Sequence, residues 1–226
     1  MAIFLDTGNM EEIKTYHKMG VIRGVTTNPT ILLKCGVTGG IEAIKKRSLE
    51  IAELIHPYPL SVEVTSNDSE QMIAQAKEFA GWAENIVVKI TIHGPHGELE
   101  NMEVIHELET VHKVKVNVTA MMSAQQCLLA AMAGATYVSL FGGRVNNMGY
   151  DSRVEIEKTR DVLDKLGLKS QIIIGSTREV LNIFEWLLAG AHIVTCTPNL
   201  IKGMIVHPYS KETVQMFLDD AKKGVC

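Results

Sequence analysis

Ile86-Val87-Val88-Lys89-Ile90 is an aliphatic run with one charge set inside it. Unbroken apolar runs of this length predict a strand covered on both faces, and such strands belong to parallel sheets. An ammonium in that setting must be desolvated, paired, or kept neutral for chemistry. Burial lowers a lysine's pKa, and a neutral amine attacks a carbonyl to form a Schiff base. The plain alternative is a strand-end lysine whose stem is packed and whose tip reaches solvent. The company Lys89 keeps decides against that alternative.

Working outward, seven further short apolar runs predict strands: Ile3 to Asp6, Gly24 to Thr26, Leu60 to Val64, Lys115 to Val118, Tyr137 to Phe141, Gln171 to Gly175, and Ile193 to Cys196. Between them lie amphipathic stretches that predict helices near Met10 to Met19, Ile41 to Ile55, Glu70 to Trp82, Asn101 to His112, Ala124 to Ala133, Ser152 to Leu166 and Arg178 to Leu188, with a last segment ending in Thr213 to Lys222. Asn9 followed by Glu12 predicts a capping box, and Pro29 after Asn28 suits a first helical turn. Ala-Gly-Ala at 133–135 and 189–191 predicts helix ends just before strands. Two glycine-rich stretches, His93 to Gly97 and Gly142 to Gly149, are expected to be loops.

Strictly alternating βα units with no Ser/Pro-rich linker predict an α/β chain folded over residues 1–226 as one (β/α)8 TIM barrel. A doubly wound open sheet is the alternative.

A formal net charge of -4 and a pI near 6.1 leave no polybasic stripe, so nucleic acid and anionic membrane are not expected partners. Cys35, Cys127, Cys196 and Cys226 have neither disulfide nor zinc spacing, which predicts reduced thiols in a cytoplasmic protein. No signal segment or membrane-spanning run is read.

In a TIM barrel, functional residues sit at the C-terminal strand ends, and inward side chains recur at every second position. Asp6, Thr26, Thr27, Asn28, Glu63, Lys89, Asn117, Thr119, Ser139, Arg144, Ser176 and Arg178 all fall at or just past those ends. Phe4 shares a face with Asp6, Ser61 with Glu63, Val87 with Lys89, and Tyr137 with Ser139 and Phe141. Buried polar groups need partners, so these residues are expected to converge on one cavity. An amine, two carboxylates, several hydroxyls and amides, and two arginines suit imine chemistry on a polyhydroxylated ketone with an anionic end.

The blocks Phe4-Leu5-Asp6-Thr7, Gly24-Val25-Thr26-Thr27-Asn28-Pro29-Thr30, Val87-Val88-Lys89, Asn117-Val118-Thr119, Ala135-Thr136-Tyr137-Val138-Ser139 and Ser176-Thr177-Arg178 resemble the small transaldolase and fructose-6-phosphate aldolase family, in order and spacing over nearly the whole chain. The resemblance implies that Lys89 is the Schiff-base lysine and Asp6 the acid-base group for the C4 hydroxyl. It implies that Glu63 and Thr119 hold a catalytic water and move protons. By the same resemblance Asn28, Asn117 and Ser139 bind the dihydroxyacetone portion, while Arg144, Ser176 and Arg178 hold the anionic end; Thr27, at the same strand end as Asn28, is expected to bind substrate as well. Phe141 resembles transaldolases, where the aldolases carry tyrosine, and Glu63 stands where those aldolases have glutamine; both imply transfer over cleavage.

The family's role in carbohydrate metabolism, including the pentose phosphate route, and its ring-shaped homo-oligomers, pentamers or decamers, are expectations of the same kind. A C-terminal helix at about 210–223 would reach a neighbouring subunit. Departures fall at Ile90-Thr91-Ile92-His93, Leu140, Gly143-Arg144-Val145-Asn146-Asn147 and Gly175. They leave the imine chemistry untouched and keep open a branch whose donor is a sugar sulfonate (sulfofructose) instead of a sugar phosphate. His93 and His96 lack a third ligand, so neither a metal nor a cofactor is expected. A barrel that binds sugar phosphate without catalysis is the non-enzyme alternative.

Overall fold

The computed structural model describes residues 2–224; Met1, Val225 and Cys226 lie outside the described residues, and with them one of the expected thiols. Its strands are Ala2–Asp6 (β1), Val25–Thr26 (β2), Leu60–Glu63 (β3), Ile86–Thr91 (β4), Val116–Met121 (β5), Tyr137–Leu140 (β6), Gln171–Ile174 (β7) and Ile193–Cys196 (β8). All pair in parallel and in sequence order, and β8 returns to β1 to close the barrel. The TIM-barrel expectation holds, and the open-sheet alternative does not.

The helices are Met10–Lys18 (α1), Pro29–Lys34 (α2), Gly40–Ile55 (α3), Ser69–Ala80 (α4), Glu100–Thr110 (α5), Ala124–Met132 (α6), Gly142–Asn147 (α7), Ser152–Leu166 (α8), Val180–Leu188 (α9), Pro198–Ile205 (α10) and Pro208–Lys222 (α11). The stretch after β6, expected to be a loop, begins with the six-residue α7, so that expectation is corrected. Glycine disfavours helix by about 1 kcal/mol in isolation. Here packing overrides propensity, because a Cβ on Gly142 would meet Ile174 and Trp186 at 2.8 and 2.9 Å.

Local signals behave as their chemistry requires. Asn9 Oδ1 accepts from the backbone N–H groups of Glu11 and Glu12. The reciprocal arm of the expected box is not made, because Glu12 instead accepts from the Thr7 hydroxyl at 2.7 Å. Gly134 and Gly190 take φ of 106° and 108°, the left-handed stops that the Ala-Gly-Ala pairs predict.

Side-chain parity separates two cores. Residues such as Leu5, Val62, Val88, Val118 and Val194 point outward and pack under the helices in one continuous apolar layer. Phe4, Ile173 and Ile193 point inward and form a separate plug at the N-terminal end of the barrel, with Ala2 and Tyr137 against it. The Phe4 ring fills the space over Gly24, where any Cβ would come within 2.7 Å of it. Trp82 stacks on Phe79 at 4.3 Å and Trp186 is fully buried, so both are packing residues.

Candidate active site

Above the plug, the same inward positions become polar and enclose a cavity of about 250 Å³ at the C-terminal end of the strands. At its floor, Lys89 is 5% exposed. Its Nζ lies 3.1 Å from Glu63 Oε2 and donates to the Thr27 carbonyl at 3.0 Å. The register explains this meeting, since Glu63 and Lys89 are direct neighbours across β3 and β4. Of the three fates open to a buried ammonium, pairing is the one adopted. One donor remains for a ligand, because an ammonium carries three.

Asp6 stands at the cavity wall, and its Oδ1 accepts from Thr26 Oγ1 at 2.6 Å. Burial pushes the Asp6 carboxyl above the usual carboxylate range; the Thr26 hydroxyl and the Lys89 charge oppose that shift, and the Glu63 charge adds to it. Such a carboxyl holds its proton more readily than an exposed one does, a property that recurs in acid-base groups.

On β5 and β6, Ser139 Oγ donates to Asn117 Oδ1 at 2.6 Å, while Asn117 Nδ2 donates to Ser61 Oγ at 3.1 Å. Thr119 lines the cavity too, and its Oγ1 is buried with no partner among the described residues. A buried hydroxyl left unmatched costs roughly 1–3 kcal/mol unless water or ligand satisfies it. Just beyond it, Ala120 has φ 62° at a bulge in the β5 ladder.

The far end of the cavity is basic. Arg144 from α7, Arg178 from the β7–α9 connection and Lys34 from α2 all line it, and none makes an ion pair among the described residues. Arg144 lies over the Phe141 ring at 5.3 Å. Gly143 allows α7 to press against the next loop, for a Cβ there would sit 1.8 Å from the Ser176 carbonyl oxygen. Ser176 itself carries φ 59°, a conformation that costs of order 1–3 kcal/mol outside glycine and recurs at functional sites. Asn28 caps α2 by accepting from Ile31 N–H at 2.8 Å and also borders the cavity, so one residue does both.

Ten of the twelve expected residues therefore border one cavity: Asp6, Asn28, Lys89, Asn117, Thr119, Ser139, Phe141, Arg144, Ser176 and Arg178. Glu63 sits behind Lys89, against its Nζ, and does not line the cavity. Thr27 does not reach the cavity, because its hydroxyl donates to the Ser61 carbonyl at 2.9 Å; its backbone oxygen holds Lys89 instead. Arg178 directly precedes the N-cap of α9, Glu179, rather than standing in the helix's first turn. Thr195 and Lys34 were not expected. Inward parity with Ile193 marks Thr195, whereas a lysine at the end of a short helix carries no sequence signal of its own.

A profile described as Transaldolase/Fructose-6-phosphate aldolase matches residues 3–225. The chain belongs to that family. It is 40% identical over 225 residues to a probable transaldolase of Shouchella clausii, covering 99% of this chain and 98% of that one. It is 39% identical over 220 residues to probable transaldolase 2 of Listeria monocytogenes, covering 97% and 95%. Members of this family are enzymes, and this chain is one of them. Solved structures agree on the fold alone. A putative phosphonomutase from Burkholderia cenocepacia superposes with a TM-score of 0.61 at 14% identity, covering 99% of this chain and 93% of that one. Thiamine phosphate pyrophosphorylase from Pyrococcus furiosus gives 0.60 at 10% identity, covering 87% and 85%. No helix among the described residues is long and apolar enough to cross a membrane.

Proposed function

We propose that this enzyme is a class I transaldolase that moves a dihydroxyacetone unit from an anion-terminated ketose, of the fructose 6-phosphate type, to an aldehyde acceptor. The observation that carries the reading is the meeting of Lys89 and Asp6 in one cavity, with Glu63 against Lys89 from behind and, at the far end, three cations that make no ion pair among the described residues. Lys89 gives up a proton and attacks the ketone carbon; the carbinolamine loses water, with Glu63 and Thr119 handling that water and its protons. Asp6 removes the C4 hydroxyl proton, the C3–C4 bond breaks, and its electron pair passes into the iminium to leave an enamine. The released aldehyde departs, and the enamine attacks a second aldehyde in reverse order. Asn28, Asn117 and Ser139 hold the hydroxyls, and the arginines with Ser176 hold the anionic terminus through forked donors.

Turnover of fructose 6-phosphate is expected to depend on an added acceptor aldehyde. Cleavage of equal rate without acceptor would make the enzyme an aldolase. A sulfonate-terminated donor presents the same tetrahedral oxygens with a single charge, and a side-by-side donor comparison assigns the branch.

Assembly and location complete the proposal. The α11 helix leaves Tyr209 and Phe217 at 73% and 62% exposure, which a lone helix in water does not favour. Together with the family resemblance, this supports a cytoplasmic ring of identical chains in which residues 1–226 form one barrel domain and α11 rests on a neighbour. Light scattering of the native chain and of a chain shortened before Pro208 tests it; an unchanged oligomer in the shortened chain would overturn it.

A further inference from the structure

Behind Asp6, two threonines on the strands either side of β1 are joined hydroxyl to hydroxyl. Thr26 on β2 is the register partner of Asp6, and Thr195 on β8 is the partner of Phe4, two residues earlier. Thr26 Oγ1 donates to Asp6 Oδ1 at 2.6 Å, and the Thr26 and Thr195 oxygens lie 2.6 Å apart. A hydroxyl carries one proton. Thr26 commits its own to the carboxylate, so the Thr195 hydroxyl must donate to Thr26. Both are buried, at 3% and 6% exposure, where successive hydrogen bonds polarise one another and a bond to a charged oxygen is roughly twice as strong as a neutral one.

We propose that Thr195 and Thr26 form a directed hydroxyl relay of positioning residues that holds Asp6 by Oδ1 and reserves Oδ2 for proton exchange with the substrate hydroxyl. This rests on the acid-base role given to Asp6 above. Oδ2 has no hydrogen-bond partner among the described residues, so the relay also settles which oxygen reacts.

Neither threonine titrates, so their removal isolates the hydrogen bonds. The charged groups that face Asp6 are Lys89 from β4 and Glu63 from β3, while the Cys196 thiol of β8 points into the outer layer behind it. Burial pushes that thiol up to about 12, so it stays protonated throughout the working range. The relay favours the ionised carboxylate, and losing it makes ionisation harder.

The test is the pH dependence of kcat/KM for fructose 6-phosphate transfer in Thr26→Val, Thr195→Val and Thr26→Ser. In Thr26→Val the acidic limb is expected to move up by on the order of one pH unit, with kcat on that limb falling about tenfold and KM changing less than about twofold. Thr195→Val moves the limb the same way by less, and Thr26→Ser restores it. A native limb in Thr26→Val, or no restoration by serine, overturns the relay. Should Thr26→Val fail to fold, Thr195→Val decides alone: an upward shift supports the relay and an unmoved limb overturns it. Imine trapping at Lys89 separates the two levels. Trapping without a shifted limb sinks only the relay, whereas absence of trapping in the native enzyme sinks the transaldolase reading.

Discussion

The two halves of the barrel interior are built from the same strands and differ in everything else. On four strands the lower inward residue is apolar and the next, two positions on, is polar: Phe4 then Asp6, Val87 then Lys89, Tyr137 then Ser139, Ile193 then Thr195. Phe4, Ile193 and Tyr137 of the lower set join Ile173 in the plug, and the upper set lines the cavity. On these four strands one residue pair thus divides labour between holding the barrel shut and presenting chemistry. The lower half stabilises through burial. The upper half spends stability on its chemistry: a desolvated carboxyl at Asp6, a Thr119 hydroxyl without a partner among the described residues, and positive φ at Ala120 and Ser176.

That division can be broken from either side. The largest effect is expected for Lys89→Ala, which removes the nucleophile from the upper half; turnover should fall by on the order of 10⁴-fold or more, read in a coupled assay. Phe4→Ala opens the plug instead. It should cost about 3–5 kcal/mol in denaturant unfolding while kcat of the folded enzyme stays within about threefold. Gly143→Ala drives a methyl into the Ser176 backbone oxygen, so a smaller loss of about 1–3 kcal/mol should accompany a raised KM for anionic donors, with KM for dihydroxyacetone little changed.

Asp6→Asn sharpens the contrast through pH. Because burial holds the folded Asp6 pKa above the unfolded value, the folded chain binds more protons, and stability from this group is present below the unfolded pKa and lost as pH rises through the folded one. The asparagine variant should therefore melt higher than the native enzyme at neutral pH, with the gain shrinking as pH falls towards the ordinary carboxylate range, while transfer activity is lost. An unchanged or lower melting temperature at neutral pH would refute the cost assigned to Asp6. The smallest effect concerns Phe141→Tyr, which places a hydroxyl in the cavity and should raise acceptor-independent cleavage several-fold over transfer.

Much of this division was legible before any coordinates. Period-two parity located Asp6, Glu63, Lys89 and Ser139, since each stands two residues after another inward position. All eight strands were found within three residues of their bounds, because a strand buried on both faces is an apolar run with clear edges. The short helices α7 and α10 escaped. Helices of six and eight residues offer too few turns for a 3.6-residue period, and Gly142-Gly143 reads as loop although tight packing against Trp186 and Ser176 demands the missing Cβ atoms. Thr27 was misplaced against that same parity: Thr26 faces the cavity, so its neighbour turns away and bonds the Ser61 carbonyl. Lys34 enters the cavity only because α2 folds over the barrel mouth, a tertiary fact that no local pattern carries.

Reduction with borohydride during turnover tests the central claim most directly. Native enzyme incubated with fructose 6-phosphate and borohydride, then digested and mapped by mass spectrometry, should carry a reduced three-carbon or six-carbon adduct on the peptide containing Lys89 and on no other lysine. An unmodified Lys89 in enzyme that is turning over donor, or an adduct on a different lysine, would contradict the account.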